Sequence, residues 1–129
     1  MEPLYKAPNL EISFDQSTRI LYCNWIGFQE AEIIYQGGDI ILDLVRELSI
    51  TKVLNDNSRV TGPWLSATEW TARKWFPAMI EAGLKYFAWI KSPDIFADES
   101  AHRAMHGMHV VKTFDSYREA YDWLREQKG

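Results

Sequence analysis

Apolar and polar positions near the N-terminus alternate in the manner of two β-strands. Residues 10–14 and 19–27 are rich in β-branched and aromatic side chains, and the polar run 15–18 between them has the composition of a turn. These segments predict a β-hairpin. Successive side chains of a strand point to opposite faces of the sheet, and the second strand carries apolar side chains on both faces, starting with Ile20 on one and Leu21 on the other. We therefore expect this strand to be covered on both faces.

The spacing of apolar positions then changes to that of a helix over residues 29–48. The positions that follow this spacing are Ile33, Gly37, Ile40, Ile41, Leu44, Val45 and Leu48. Gly37 and Gly38 weaken the pattern, because each glycine costs a helix about 1 kcal/mol relative to alanine. We favour a continuous helix with Gly37 packed closely against the sheet. The alternative is a new helix that starts near Asp39.

The remaining segments alternate between strand and helix patterns. Strands are predicted at 52–55, 85–90 and 109–113, and helices at 66–83, 100–105 and 117–127. The helix 66–83 should begin with a capping box formed by Ser66 and Glu69 and end at Gly83. Pro77 should kink or split this helix, because proline removes one backbone donor.

This order of elements predicts an α/β fold. Residues 45–58 and 80–93 both read as a helix end, a tight turn, an apolar strand and a polar ending, which is typical of parallel βαβ units. We expect one mixed sheet of about five strands, built from the N-terminal hairpin and βαβ units and covered by helices. Residues 1–129 should form a single domain.

Composition narrows the class of protein. Hydrophobic residues make up 47% and charged residues 25% of the chain, which are the values of a globular domain. The net charge of -4 lacks the basic footprint of a nucleic-acid binder. Cys23 is the single cysteine, so an intramolecular disulfide and a cysteine-based zinc site are excluded. Without a signal-peptide core or a long apolar run, we expect a cytoplasmic protein with no membrane span.

A polar cluster after the strand 52–55 is the first candidate site. It consists of Asn55, Asp56, Asn57, Ser58 and Arg59. A Gly62-Pro63 break follows and leads to Trp64. Ligands of α/β sheets bind where strands end, so we expect a site for a protein partner or small ligand at the loop 55–64. A helix N-terminus nearby would favour a phosphate or another anion.

The order of elements, with its polar loop after the third strand, resembles the SpoIIAA-like (STAS, STAS/SEC14) family of small regulatory domains. The resemblance covers residues 10–124. In the anti-sigma-factor antagonists of that family, the equivalent loop carries Asp-Ser-Ser-Gly or a close variant, and a partner kinase phosphorylates its third residue. Placing Asp56 on the family's Asp puts Asn57 next, Ser58 on the phosphorylated position and Arg59 where the family has glycine. The block WFPAMIEAGLKYFAW is similar to an uncharacterised bacterial subfamily with this fold.

The resemblance implies a non-enzymatic regulatory or interaction module without a cofactor. It would bind a protein partner or a small ligand at the loop 55–64, and phosphorylation of Ser58 would switch that binding. A phosphate adds about two negative charges, with which Arg59 could pair. The structural alternative is a loop whose Asn, Asp and Ser side chains bond their own backbone.

Tryptophans are the second candidate feature. Trp64, Trp70 and Trp75 follow the polar cluster closely, and Trp25 and Trp89 lie on predicted strands. Trp70 and Trp75 should be about 140° apart on a helix, so one of them should be at least partly exposed. Three interpretations stay open: core packing, a homodimer interface, and a Trp-lined pocket for a small apolar or anionic, lipid-like molecule.

Candidates for enzyme or metal chemistry are few. Asp56 is the obvious general base, whereas Ser58 lacks the Gly-x-Ser-x-Gly flanks of a hydrolase nucleophile. His102 and His106 have the spacing of a zinc pair but lack the glutamate of HExxH, so a surface helix is the preferred interpretation. Cys23 should be a small buried hydrophobe. We therefore expect no catalytic residue and no metal site.

Overall fold

The computed structural model describes residues 1–129, and six strands form its single sheet. In sheet order these are β1 (Glu2–Ala7), β2 (Leu10–Asp15), β3 (Ile20–Phe28), β4 (Lys52–Thr61), β5 (Tyr86–Ile90) and β6 (Val111–Phe114). The pairs β1–β2 and β2–β3 are antiparallel, and the pairs from β3 to β6 are parallel. The predicted mixed sheet with an N-terminal hairpin is confirmed, with six strands where about five were expected.

The additional strand is β1, at the edge of the sheet. Most of its residues are exposed or half-buried, and it contains Pro3, which cannot donate to a central ladder and is therefore confined to edge strands. Its register with β2 shifts between Pro3 and Tyr5. An exposed edge strand needs no alternation of apolar and polar residues, so its sequence gave no strand signal.

Helices cover both faces of the sheet unequally. They are α1 (Ala31–Leu48), α2 (Thr68–Trp70), α3 (Phe76–Glu81), α4 (Ile95–Met105) and α5 (Tyr117–Glu126). On one face, α1, α3 and α4 enclose the main core of 23 buried residues. On the other face, α5 closes a core of six. None of these helices combines the length and hydropathy that crossing a bilayer requires.

The two glycines of α1 lie at close contacts, and the helix runs through them as predicted. A Cβ atom on Gly37 would lie 2.6 Å from Cη2 of Trp25 and 2.8 Å from Cδ2 of Leu10. A Cβ atom on Gly38 would lie 2.8 Å from Cη2 of Trp70. The glycine pair therefore lets α1 approach both the sheet and the following helical segment more closely than any other residue would.

The helical segment 65–81 has four parts. A 3₁₀ turn (Leu65–Ala67) precedes α2, and a π-helical turn (Thr71–Trp75) separates α2 from α3. The predicted capping box is wrong: Ser66 lies inside the 3₁₀ turn, and no side chain caps the segment. Pro77 lies in the first turn of α3, directly after the π-helical turn, and the backbone stays helical across that junction, so the segment changes its helical type at this point and does not break.

Helix α4 starts earlier than its sequence indicates. It was expected at 100–105, but it begins at Ile95 after Asp94, whose carboxylate accepts hydrogen bonds from the N–H groups of Phe96 and Ala97. Ile95 and Phe96 are exposed, so the first turn lacks the apolar periodicity that marks a helix. The final helix matches its prediction to within one residue.

Candidate functional site

The predicted loop 55–64 is largely strand, so that prediction is wrong. Beyond Asn55, β4 continues to Thr61, which pairs with Phe28 of β3. The register shifts between Asn24 and Ile26 of β3, which marks a β-bulge in the polar cluster. Bulges of this kind are common beside functional sites because they redirect side chains.

The alternation of β4 divides the polar cluster between the two faces of the sheet. Asn55 and Asn57 lie on the side of α1 and line a pocket there. On the side of α5, the Tyr22 hydroxyl donates to Oδ2 of Asp56 at 2.6 Å. Ser58 and Arg59 are exposed. Of the seven site residues expected from the sequence, four come together in the pocket: Asn55, Asn57, Trp64 and Trp70.

Five of the six tryptophans line this single pocket, which we call the tryptophan pocket. They are Trp25, Trp64, Trp70, Trp75 and Trp89. The part of the pocket wide enough to admit a water molecule is about 40 Å³. One water molecule needs about 10–15 Å³ by that measure, so the pocket as it stands has room for about three water molecules.

Hydrogen bonds fix two of the indole rings. Trp25 Nε1 donates to Oδ1 of Asn55 at 2.8 Å, and Asn55 Nδ2 donates to Oδ1 of Asn57 at 3.2 Å. Trp75 Nε1 donates to the carbonyl oxygen of Gly38 at 2.8 Å. These bonds hold the inner wall in place before any ligand arrives.

Two other rings, those of Trp64 and Trp89, stack on each other, and Trp70 forms the outer wall of the pocket. The Trp64 and Trp89 rings are parallel to within 8°, with centroids 6.3 Å apart. Trp70 is half-buried and contacts the Tyr35 ring, whereas Trp75 is buried. The prediction that one of Trp70 and Trp75 is partly exposed is confirmed. Trp70 is therefore the least buried of the five tryptophans that line the pocket.

Two polar atoms on the wall residues have no hydrogen-bond partner. They are Nε1 of Trp89 and Oε1 of Gln29, and each residue is only 3% exposed. The amide of Gln29 is held in place, because its Nε2 donates to the carbonyl oxygen of Ile26 at 3.0 Å. An unpaired buried polar group costs about 1–3 kcal/mol, so both atoms are candidate ligand contacts. No local pattern of the chain singles out Gln29 as a site residue.

The wall of the tryptophan pocket carries no charged side chain. Besides the tryptophans and the three amides, it is formed by Ile34, Gly38, Val60 and Thr71. Thr71 is already engaged, since its hydroxyl donates to the carbonyl oxygen of Ala67 at 2.9 Å. A charged ligand would find no counter-ion here, which disfavours the anionic molecule considered from the sequence.

Asp56 is not among the residues that line the tryptophan pocket. Its second oxygen accepts the backbone N–H of Ser58 at 2.9 Å, so both oxygens have local partners. Burial raises the pKa of Tyr22, and the hydrogen bond to Asp56 raises it further. The pair therefore joins β3 to β4 as a protonated phenol bonded to a carboxylate.

Ser58 lies in a separate, open and polar groove. Its neighbours there are Lys91, Ser92, Pro93, Asp98 and Asp115. Lys91 Nζ is 3.0 Å from Oδ1 of Asp115, and this hydrogen bond raises the pKa of Lys91. The helical segment after β4 begins only at Leu65, so Ser58 does not lie at its N-terminus.

The remaining titratable candidates have structural explanations. His102 Nε2 is 3.4 Å from Oδ2 of Asp98 on the surface of α4. No group of three His, Cys, Asp or Glu side chains is arranged to hold a metal ion. Cys23 is fully buried, and burial raises the pKa of its thiol.

Comparisons with known proteins identify the fold of the chain. No family model matches the sequence, and no curated protein matches it. A solved structure from Shewanella loihica PV-4, an uncharacterized protein of the DUF3478 family with a SpoIIAA-like fold, is similar with a TM-score of 0.59. The two chains are 18% identical, and the match covers 94% of this chain and 98% of the other. The six-stranded mixed sheet and this likeness together show that the chain has a SpoIIAA-like fold.

Proposed function

We propose that this protein is a non-enzymatic interaction module that binds a small molecule in the tryptophan pocket. The observation that carries the proposal is the convergence of five tryptophans from separate elements on one pocket, beside Asn55 and Asn57. Aromatic walls with a few fixed polar groups are typical of small-ligand sites. The pocket also adjoins the carboxyl end of β4, where sheets of this class bind their ligands.

The composition of the wall supports a binding role over catalysis. The twelve lining residues are of the types Trp, Gln, Asn, Thr, Ile, Gly and Val, none of which titrates near neutral pH. General acid–base catalysis needs such a group within reach of the substrate. Asp56, the candidate base, bonds Tyr22 on the other face of the sheet.

Replacing Trp70 with alanine should remove most ligand binding, because it deletes the outer wall of the pocket. Native mass spectrometry of protein purified gently from its own cells should show a small-molecule adduct. The matched control is Trp123→Ala, which removes a similarly half-buried tryptophan packed on the α5 side. A bare mass for the unaltered protein, or equal adducts in both variants, would contradict the proposal.

A phosphorylation switch at Ser58 is the second candidate function. Its support is the exposed position of Ser58 in a groove that also holds Lys91, whose ammonium group would have to exchange its bond to Asp115 for one to the phosphate. We expect phosphopeptide mapping of protein from its own cells to find phosphate on Ser58, and Ser58→Asp to change partner binding. The control is Ser66→Ala, another exposed serine. The switch fails if Ser58→Ala and Ser58→Asp leave every interaction unaltered.

Homodimer formation stays a prediction. It was inferred from an exposed tryptophan patch, but four of the five tryptophans of the pocket are buried. Small-angle scattering at two protein concentrations measures the mass in solution and decides between monomer and dimer.

A further inference from the structure

We infer that the ligand of the tryptophan pocket is a small, flat, uncharged molecule that carries both a hydrogen-bond acceptor and a hydrogen-bond donor. A primary amide on an aromatic ring is the simplest example of this chemistry. The inference rests on the proposed function and specifies its ligand. Three properties of the wall lead to it: its unpaired polar atoms, its lack of charge and its shape.

The two unpaired atoms favour a ligand that offers them one acceptor and one donor. Trp89 Nε1–H can only donate, and Gln29 Oε1 can only accept. Both atoms are buried without a partner, and both residues line the pocket. The N–H groups of Trp25 and Trp75 are already bonded to Asn55 and Gly38. A purely apolar ligand would leave Trp89 and Gln29 unpaired, whereas an amide offers a partner to each.

The absence of charge on the wall excludes ionic ligands. No Lys, Arg, His, Asp or Glu lines the pocket. Asp56 is turned to the opposite face of the sheet, where it bonds Tyr22, and Lys91 belongs to the separate groove of Ser58. A carboxylate or an ammonium group inside the pocket would therefore be desolvated without an opposite charge, which is strongly unfavourable.

The shape of the wall selects a flat group. The Trp64 and Trp89 rings stack in parallel on each other, and the space that admits water is only about 40 Å³. Aromatic rings prefer offset-stacked or edge-to-face neighbours at centroid separations of about 4.5–7 Å. A planar ring can pack against these indoles after a small outward movement of Trp70, whereas a bulky or branched molecule would have to displace several fixed walls.

Four compounds of nearly the same shape differ in their charge and in their hydrogen-bonding groups, and so test these properties one at a time. They are benzamide, benzoate, benzamidinium and toluene. Each is titrated into ¹⁵N-labelled protein while the indole N–H resonances are followed by NMR. We expect benzamide to bind at least about tenfold more tightly than the other three, the effect of one hydrogen bond. The Trp89 resonance should move most, because its N–H gains a partner, and those of Trp25 and Trp75 should move less.

Trp89→Phe keeps an aromatic ring and deletes the N–H group. It should weaken benzamide binding about tenfold and leave toluene binding nearly unchanged. The control Trp123→Phe removes a tryptophan outside the pocket and should change neither affinity. Equal or tighter binding of benzoate, benzamidinium or toluene would overturn the inference, as would unaltered benzamide binding by Trp89→Phe. No binding in the whole series would also overturn it, while the native-mass adduct tests independently whether the pocket holds a ligand at all.

Discussion

Replacing Phe76 with alanine should lower the free energy of unfolding by about 3–5 kcal/mol. The Phe76 side chain is fully buried at the start of α3. Its ring makes edge contacts with Trp75 and Phe87, with centroid distances of 5.1 Å and 5.0 Å. Truncation removes both contacts and leaves a cavity between α3 and the sheet. The lost stability therefore has two parts: the hydrophobic free energy of the deleted ring atoms, and the cost of the cavity that the surrounding side chains do not fill.

Urea denaturation followed by circular dichroism measures this loss. The matched control is Phe96→Ala, which truncates a phenylalanine that is 59% exposed on α4. We expect the control to change stability by less than about 0.5 kcal/mol, as exposed positions usually do. If the two variants are equally stable, the core beneath α3 is not packed as described.

Replacing Gly37 with alanine should lower the free energy of unfolding by about 1–3 kcal/mol, the usual cost of overpacking a core. On an exposed helix position the same change would stabilise the helix by up to about 1 kcal/mol. The sign reverses here because the new Cβ atom would lie 2.6 Å from the Trp25 ring. Either Trp25 and Leu10 together or the whole of α1 must move, because Cδ2 of Leu10 would lie only 2.8 Å from the new atom.

A double-mutant cycle tests the cause of this loss. Trp25→Phe removes the distal ring atoms nearest to Gly37, so Gly37→Ala should cost less in that background than in the unaltered protein. The control Gln36→Ala places alanine at the preceding, exposed position of α1 and should be neutral or slightly stabilising. An equal cost of Gly37→Ala in both backgrounds would show that Trp25 is not the obstacle.

Local patterns predicted much of the fold because they reflect burial directly. The apolar rows of β3 predicted a strand covered on both faces, and both cores contain residues of that strand. Gly37 predicted a close approach to the sheet within a helix of otherwise regular spacing. The exposed strand β1 and the first turn of α4 were missed because neither buries a regular row of side chains.

The polar cluster shows where local patterns fail. Asn and Asp are poor strand formers, so residues after Asn55 indicated a loop. Pairing with β3 overrides that preference and extends β4 to Thr61, which turns Asn55 and Asp56 to opposite faces. The tryptophan count raised the possibility of a pocket. The unpaired atoms of Trp89 and Gln29 depend on tertiary contacts that no local pattern contains.

The most direct test of the central claim is a crystal structure of protein purified gently from its own cells. We expect density for a small flat molecule in the tryptophan pocket, within hydrogen-bond distance of Trp89 Nε1 and Gln29 Oε1. Comparison with protein expressed in an unrelated host would show whether that density belongs to a ligand of the native cell. A pocket that holds only water in the native protein, with a molecule bound elsewhere on the surface, would contradict the claim.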